Sequence, residues 1–283
     1  MKKLYLFLLL TFFVVCVAAS PTAAAPTALT ACQPGTPLTT GSYVLANNLV
    51  ADPGRDCLVI FGENITIDLA GFTIRGQPNP DAPGDPGNGI TDGHNEYKWD
   101  NVVIRNGTIT RFGQNGIDLR NTSSVKIEDV RVTANRLRGI NVGPYSIVKD
   151  CIVFDNNQHS GVGIGVAGSS VVTSNIVTRN VEGIYADGPG NTIIGNTVND
   201  NSDGISVQFA GNTVVNNTAN NNKNYGIFAD KGSTIVNNTA DNNRIGIGVV
   251  CPNNLNANTA QFNTGKNFDI SNGKGCLRSG NLF

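Results

Sequence analysis

Aromatic rings, amides and carboxylates recur at fixed offsets from a Gly-Ile pair in the second half of the chain, and these groups could do chemistry at a surface. Tyr185, Ser206 and Phe228 each stand two positions after the glycine, and Asp187, Gln208 and Asp230 stand four positions after it. Flat apolar rings beside amide and carboxylate acceptors suit the faces and hydroxyls of sugar rings. Tyr185, Ser206, Gln208 and Phe228 are therefore the candidate ligand-binding residues. Asp187 and Asp230 are the candidate catalytic carboxylates. Two repeats apart, they would stand about 9 to 10 Å from one another if each repeat adds about 4.8 Å, near the wide end of the separation used in inverting glycoside hydrolysis. A general acid also needs an apolar or like-charged setting that raises its pKa, and an open sheet surface offers little of either. Scattered decoration of an exposed sheet is the competing account of all six residues.

Metal and redox chemistry find less material. The chain holds 2 His and 1 Met, the initiator, so the imidazole and thioether ligands that copper handling uses are scarce; no metal and no cofactor are expected. Cys32 and Cys57 bracket one end of the chain, and Cys251 and Cys276 bracket the other at the same spacing. In an exported chain that arrangement suggests, without proving, two terminal disulfides. Cys151, alone in a Val/Ile context, reads as a buried thiol rather than a reactive one.

Export is indicated by the first residues. Lys2 and Lys3 precede an apolar run from Leu4 to Val17 and the small residues Ala18 and Ala19, which is the pattern of a cleaved signal peptide over residues 1–19. The run falls short of the roughly 20 residues that span a bilayer, so the mature chain, starting near Ser20, is expected to be secreted or periplasmic without membrane insertion. Cys16 lacks the small-residue context of a lipid-modified cysteine. A net charge of −1 and a pI near 6.1 leave no basic field for nucleic acid. Hydrophobic residues at 40% are enough to build a core, while charged residues at 14% and 33 glycines point to a chain full of turns.

What would position the candidate residues is a repeat. The Gly-Ile pair returns at Gly89, Gly116, Gly139, Gly163, Gly183, Gly204, Gly226 and Gly246, at steps that tighten toward the C-terminus. A period of about 22 residues is too short for a helical hairpin and suits a coil of three short strands. Asn191–Asn201, Asn212–Asn222 and Ser233–Asn243 are nearly identical copies. Stacked coils put equivalent side chains into ladders. Ile117, Ile140, Ile164, Ile184, Ile205, Ile227 and Ile247 should form one inward column. Val177, Val198, Ala219, Ala240 and Ala260 should form another. Asn175, Asn196, Asn217, Asn238 and Asn258, and likewise Asn180, Asn201, Asn222, Asn243 and Asn263, are read as structural: Asn tolerates the left-handed conformation of a corner, and stacked amides can bond from coil to coil. In the β-branched patch, adjacent apolar residues cannot both face the core. Val148, Ile194, Val215 and Val236 are therefore expected to form an outward apolar ridge, a candidate site of self-association or of a protein partner.

From Gly41 (GSYVLANNL) through Cys57 (CLVI), Asn64 (NITIDLAGFTIRG) and Asn101 (NVVIRNGTITRFGQNGIDL), and along the Asn-rich coils, the chain resembles the superfamily of right-handed parallel β-helix repeat proteins, the pectate-lyase-like fold. The resemblance implies an all-β, single-stranded right-handed parallel β-helix over residues 41–283, with an N-terminal segment over 20–40, a C-terminal cap from about 251, and disulfide-closed terminal segments. Its coils would have the length of the Gly-Ile repeat. The superfamily includes pectate lyases, polygalacturonases and alginate epimerases. Their motifs are not matched: the nearest fragment, Asp92-Gly93-His94-Asn95, has no acid pair beside it, and the Asp-Pro-His-Asp motif of the epimerases is missing. The expected function is that of a secreted, polysaccharide-facing β-helix, with binding ahead of processing. A structural or adhesive surface protein with a protein partner is the alternative, and a polysaccharide lyase or glycoside hydrolase ranks third.

Overall fold

The computed structural model describes residues 24–77, 87–93, 99–156, 161–272 and 274–282. The leader over 1–19 with Cys16, the start at Ser20, and His94 and Asn95 lie outside the described residues. Short β-branched segments, many followed by Gly or a residue at positive φ, form strands that pair only in parallel with the coil before and the coil after. Glu182–Asp187, Thr192–Ile194 and Thr197–Asn199 make one coil, and Asp203–Val207 opens the next. The result is a right-handed parallel β-helix. The first strands of successive coils stack into an eleven-stranded sheet, and the second and third strands build a seventeen-stranded sheet around the remaining sides.

The expected inward columns are present. Ile90, Ile117, Ile140, Ile164, Ile184, Ile205, Ile227 and Ile247 are successive register partners, each 0% exposed. Full burial of such a side chain contributes about 1.5–3 kcal/mol relative to exposure. Val132, Val153, Val177 and Val198 are likewise in register, and Ala219, Ala240 and Ala260 continue the buried set. The glycine of each Gly-Ile pair is there for close approach. A Cβ on Gly183 would collide with Val198 Cγ1 and lie 2.6 Å from the Gly204 carbonyl.

The asparagines are buried and act through their amides. Asn175 Nδ2 donates to Asn196 Oδ1 at 2.9 Å, and Asn196, Asn217 and Asn238 each donate onward at 3.0 Å, as far as Asn258. Each amide also donates to a backbone carbonyl of the coil before, as Asn217 does to Ile193 at 2.8 Å, and each Oδ1 receives the backbone N–H of the preceding ladder asparagine. A second ladder runs Asn156, Asn180, Asn201, Asn222, Asn243. A third, which the sequence does not suggest, links Ser146, Ser170, Asn191 and Asn212 through backbone N–H groups. The left-handed residue is not the ladder asparagine but the one before it: Ser174, Gly195, Asn216, Asn237 and Ala257 along the first ladder all have φ between 54° and 66°. The corner is turned by one residue and filled by the next.

The apolar ridge needs one correction. Ile194, Val215 and Val236 are register partners, half-exposed on the outside. Val148 is not among them. It pairs with Val172, which pairs with Ile193, and it is 0% exposed in the inward column; strand alternation puts Lys149, not Val148, at the outward position. Cys32–Cys57 and Cys251–Cys276 are disulfide-bonded. The strands beside them pair in parallel with the coils they follow or precede, Gln33–Leu38 with a shift of register between its ends, and Asn254–Asn256 and Lys266–Ser271 in continuous register. Cys151 is free and buried, and burial pushes its thiol up to about 12, which leaves it without thiolate character at neutral pH.

Asn217→Ala removes an acceptor for Asn196 and a donor to Ile193, Val215 and Asn238, all of these bonds buried except the part-buried one to Val215. Unfolding in urea should show a loss on the order of 3 kcal/mol. Replacing Ile194, Val215 and Val236 together by Thr should cost less than about 1 kcal/mol in the same measurement, because outward positions on a sheet contribute little to the core; light scattering of that variant reports whether the ridge mediates self-association.

Candidate functional site

The outer face of the eleven-stranded sheet carries the candidate residues, arranged in columns by the register of the coils. Asp118, Asn141, Gly165, Tyr185, Ser206, Phe228 and Gly248 are successive partners along one column. Tyr185 and Phe228 are half-buried, with Ser206 between them. Ser206 is only 8% exposed. Asp187 is exposed and pairs in register with Ala167. Gln208 and Asp230 are half-buried. Asp230 Oδ1 accepts from the Lys231 N–H at 2.8 Å. The two candidate catalytic carboxylates are thus on one side of the helix but two coils apart.

Four residues that the sequence does not single out complete the face. The residue before each Gly-Ile pair lies beside the residue three further on: Asn115 Nδ2 donates to Asp118 at 3.0 Å, Arg138 Nη1 donates to Asn141 Oδ1 at 3.0 Å, and the Tyr225 ring meets Phe228 edge-on at 5.4 Å. The pairing register skips the glycine, running from Val162↔Glu182 directly to Ile164↔Ile184. Strand alternation counted from the glycine therefore misses this column, which includes Arg138, Glu182, Asp203 and Tyr225. Side chains in it lean toward the following coil. A Cβ on Gly165 would lie 2.9 Å from Arg138 Nη1, and one on Gly248 would lie 2.5 Å from Tyr225 Cε1. These glycines are seats for the side chain that leans over them.

At the N-terminal half of the face a cleft of about 320 Å³ is lined by Arg120, Asn121, Arg138, Asn141, Tyr185 and Asp187 among others. Its arginines are held from below. Asp118, 0% exposed, receives Arg120 Nε at 2.9 Å and Arg120 Nη2 at 2.5 Å, together with Asn141 Nδ2 at 2.9 Å. Asn141 in turn accepts from Arg138. Hydrogen bonding to Asp118 pushes the Arg120 guanidinium further up from its ordinary value, so it stays a fixed cation. The Tyr185 phenol is pushed up by burial and then by the negative charges of Asp187 and Glu182. Burial, followed by the charge of Asp203, also pushes the Glu182 carboxyl up, against the Ser206 hydrogen bond and the charge of Arg138. Among the described residues no group of three or more His, Cys, Asp or Glu side chains is placed to hold a metal ion.

A family model described as a right-handed β-helix region matches residues 38–198. No curated protein matches the chain by sequence. Among solved structures, the A-module of a mannuronan C-5 epimerase from Azotobacter vinelandii is similar at 12% identity and a TM-score of 0.68, over 92% of this chain and 85% of that one. A pectate lyase is similar at 16% identity and a TM-score of 0.60, over 84% of this chain and 71% of the lyase. The Dettilon tailspike protein is similar at 18% identity and a TM-score of 0.64; 91% of this chain is covered, but it spans only 57% of the tailspike's length. Identities this low support a shared fold.

Tyr185→Ala should leave the melting temperature within a few degrees of the parent, and Phe228→Ala should cost about 1 kcal/mol more through the lost edge contact with Tyr225. Thermal unfolding of both variants by circular dichroism checks this, and unfolding of either at room temperature would mean that these rings are core.

Proposed function

The chain belongs to the right-handed β-helix family, and from that premise we propose that it is a secreted protein that binds acidic polysaccharide on the outer face of its eleven-stranded sheet. One observation carries the reading. Two guanidinium groups, from Arg120 and Arg138, are tied through the buried Asp118 and Asn141 into one hydrogen-bonded network beside Tyr185 and Asp187. Guanidinium suits the carboxylate of a uronic acid, because its fork of donors matches the two oxygens. A tyrosine ring offers an apolar face to the sugar, and Asp187 accepts from hydroxyls. The other candidates, Ser206, Gln208 and Phe228, continue the face toward the C-terminus and extend the track along which further sugars would lie. Similarity to a mannuronan epimerase and a pectate lyase supports the polysaccharide reading, and the two disulfides fit an oxidising compartment outside the cytosol.

Binding should be measured by calorimetry against polygalacturonate, alginate and a neutral glycan such as dextran. The acidic chains should bind, and more weakly as salt rises. Arg120→Ala or Arg138→Ala should each lower affinity by roughly 10- to 100-fold, the worth of one charge-assisted hydrogen-bonded pair. Equal binding of dextran would remove the acidic specificity. No binding to any glycan by the folded protein would overturn the proposal and favour a structural or adhesive role with a protein partner.

A further inference from the structure

On the reading that the cleft beside Arg120 and Arg138 holds an acidic glycan, we infer that the protein carries a second site for the same polymer on its seventeen-stranded sheet, at Arg75 and Arg111, and so links two glycan chains. This second cleft, of about 500 Å³, is lined by Val50, Arg75, Gly76, Gln77 and Arg111. It spans three successive coils. Val50 and Thr110 are the register partners of Arg75 on the coils before and after, and Arg111 follows Thr110 at the corner. The alternate positions Leu49, Ile74 and Ile109 are buried in the core, which leaves Val50 and Arg75 facing outward.

These two arginines differ from their neighbours in having no counter-charge. Arg105, Arg120 and Arg179 are each tied to an aspartate. Among the described residues neither Arg75 nor Arg111 has an ion pair or a side-chain hydrogen bond, and both are exposed. Gly76 keeps them close. Its N–H donates to the Thr110 carbonyl at 2.9 Å, and a Cβ on it would lie 2.5 Å from the Arg111 carbonyl oxygen. The two side chains therefore start about 4.8 Å apart along the helix, one step between strands. Like charges so placed repel, and an anion that accepts from both removes the repulsion. A carboxylate has two oxygens to offer two forks of donors. Val50, 52% exposed, gives a sugar ring an apolar wall, and the Gln77 amide gives its hydroxyls a partner. The first cleft has the same composition: two guanidinium groups from Arg120 and Arg138, the Asn121 amide and the Tyr185 ring. That repetition assigns one ligand class to both.

The two clefts share no lining residue and open on different sheets, at a common level of the helix, since Arg111 and Arg120 flank the strand Ile117–Leu119 and its approach. One glycan chain can lie in each. They differ in preorganisation. Asp118 and Asn141 hold the first pair of arginines, whereas Arg75 and Arg111 must be ordered by the ligand itself. That cost makes the second site weaker by roughly 10-fold or more. A bivalent protein of this kind gathers separate chains into a network.

Calorimetry of the full chain with short oligogalacturonates should give two sites per chain. Light scattering should show long polygalacturonate clustering at intermediate ratios of protein and dispersing when protein is in excess. Arg75→Ala with Arg111→Ala should keep the tighter site, lose the weaker one and lose clustering, with an unchanged melting temperature because both side chains are exposed. Arg75→Lys with Arg111→Lys keeps the charge but not the fork, and should weaken that site by roughly 10-fold. Arg120→Ala with Arg138→Ala should lose the tighter site and keep the weaker. Clustering that survives the Arg75→Ala and Arg111→Ala pair, or a single parental site that Arg120→Ala with Arg138→Ala removes, would overturn the second site and leave the first standing. So would inorganic phosphate filling the Arg75 and Arg111 cleft where polygalacturonate does not. A single site removed only by the Arg75 and Arg111 variants would overturn the first reading and with it the linking of two chains, and no binding in the parent would overturn both.

Discussion

The ladder asparagines of this molecule find their partners one coil away. The coils repeat at the spacing of a β-sheet, so an inward asparagine meets the same position of its neighbour. An asparagine has both a donor and an acceptor, which is why a column of it can bond to itself indefinitely, as Asn175, Asn196, Asn217, Asn238 and Asn258 do. A column of Asp or Lys could not. The ladder amides also reach back to carbonyls such as Val172 and Ile193, so each of them ties its own coil to the coil before as well as to the coil after.

That constraint confines chemistry to the outside. Inward positions are committed by stacking to apolar residues and to the Asn and Ser of the ladders, and any departure is felt by two neighbouring coils. Outward columns have no such obligation and vary along the helix, from Asp118 and Asn141 through Tyr185 to Phe228. What they lack is rigidity. The face recovers it where a side chain leans over a glycine of the next coil, as Arg138 does over Gly165 and Tyr225 does over Gly248, and where neighbouring coils share a hydrogen bond, as Asp118 and Asn141 do.

The parts of the structure that repeat are legible in the sequence. The recurring Gly-Ile pair, three copies in register and paired cysteines suffice for the coil, the inward isoleucine column, the asparagine ladders and both disulfides. Where sequence and structure differ, they differ by one residue. Val148 stands one residue further from its left-handed corner, Asp150, than Ile194 stands from Gly195, and its register partner is the inward Val172; the left-handed corner residue is Asn216 or Asn237 and not the adjacent Asn217 or Asn238. A period identifies equivalent positions but does not say which way the first of them points. The same ambiguity hides Arg138, Glu182 and Asp203, because the strand enters the sheet through a glycine whose absent side chain lets the backbone turn and breaks the alternation counted from it.

Asp118 shows how a site can be built on such a surface. It stands in an outward column, yet it is 0% exposed, because Asn115, Arg120 and Asn141 close over its carboxylate. A buried carboxylate stripped of those donors would be several kcal/mol less favourable, so each donor is held firmly in turn. The arginines above it are oriented before any ligand arrives, and a ligand anion then meets donors whose side-chain entropy is already lost. Here the stacking logic of the core, in which ladder amides are satisfied by the coil beside them, has been carried to the outside and left with two cations uppermost.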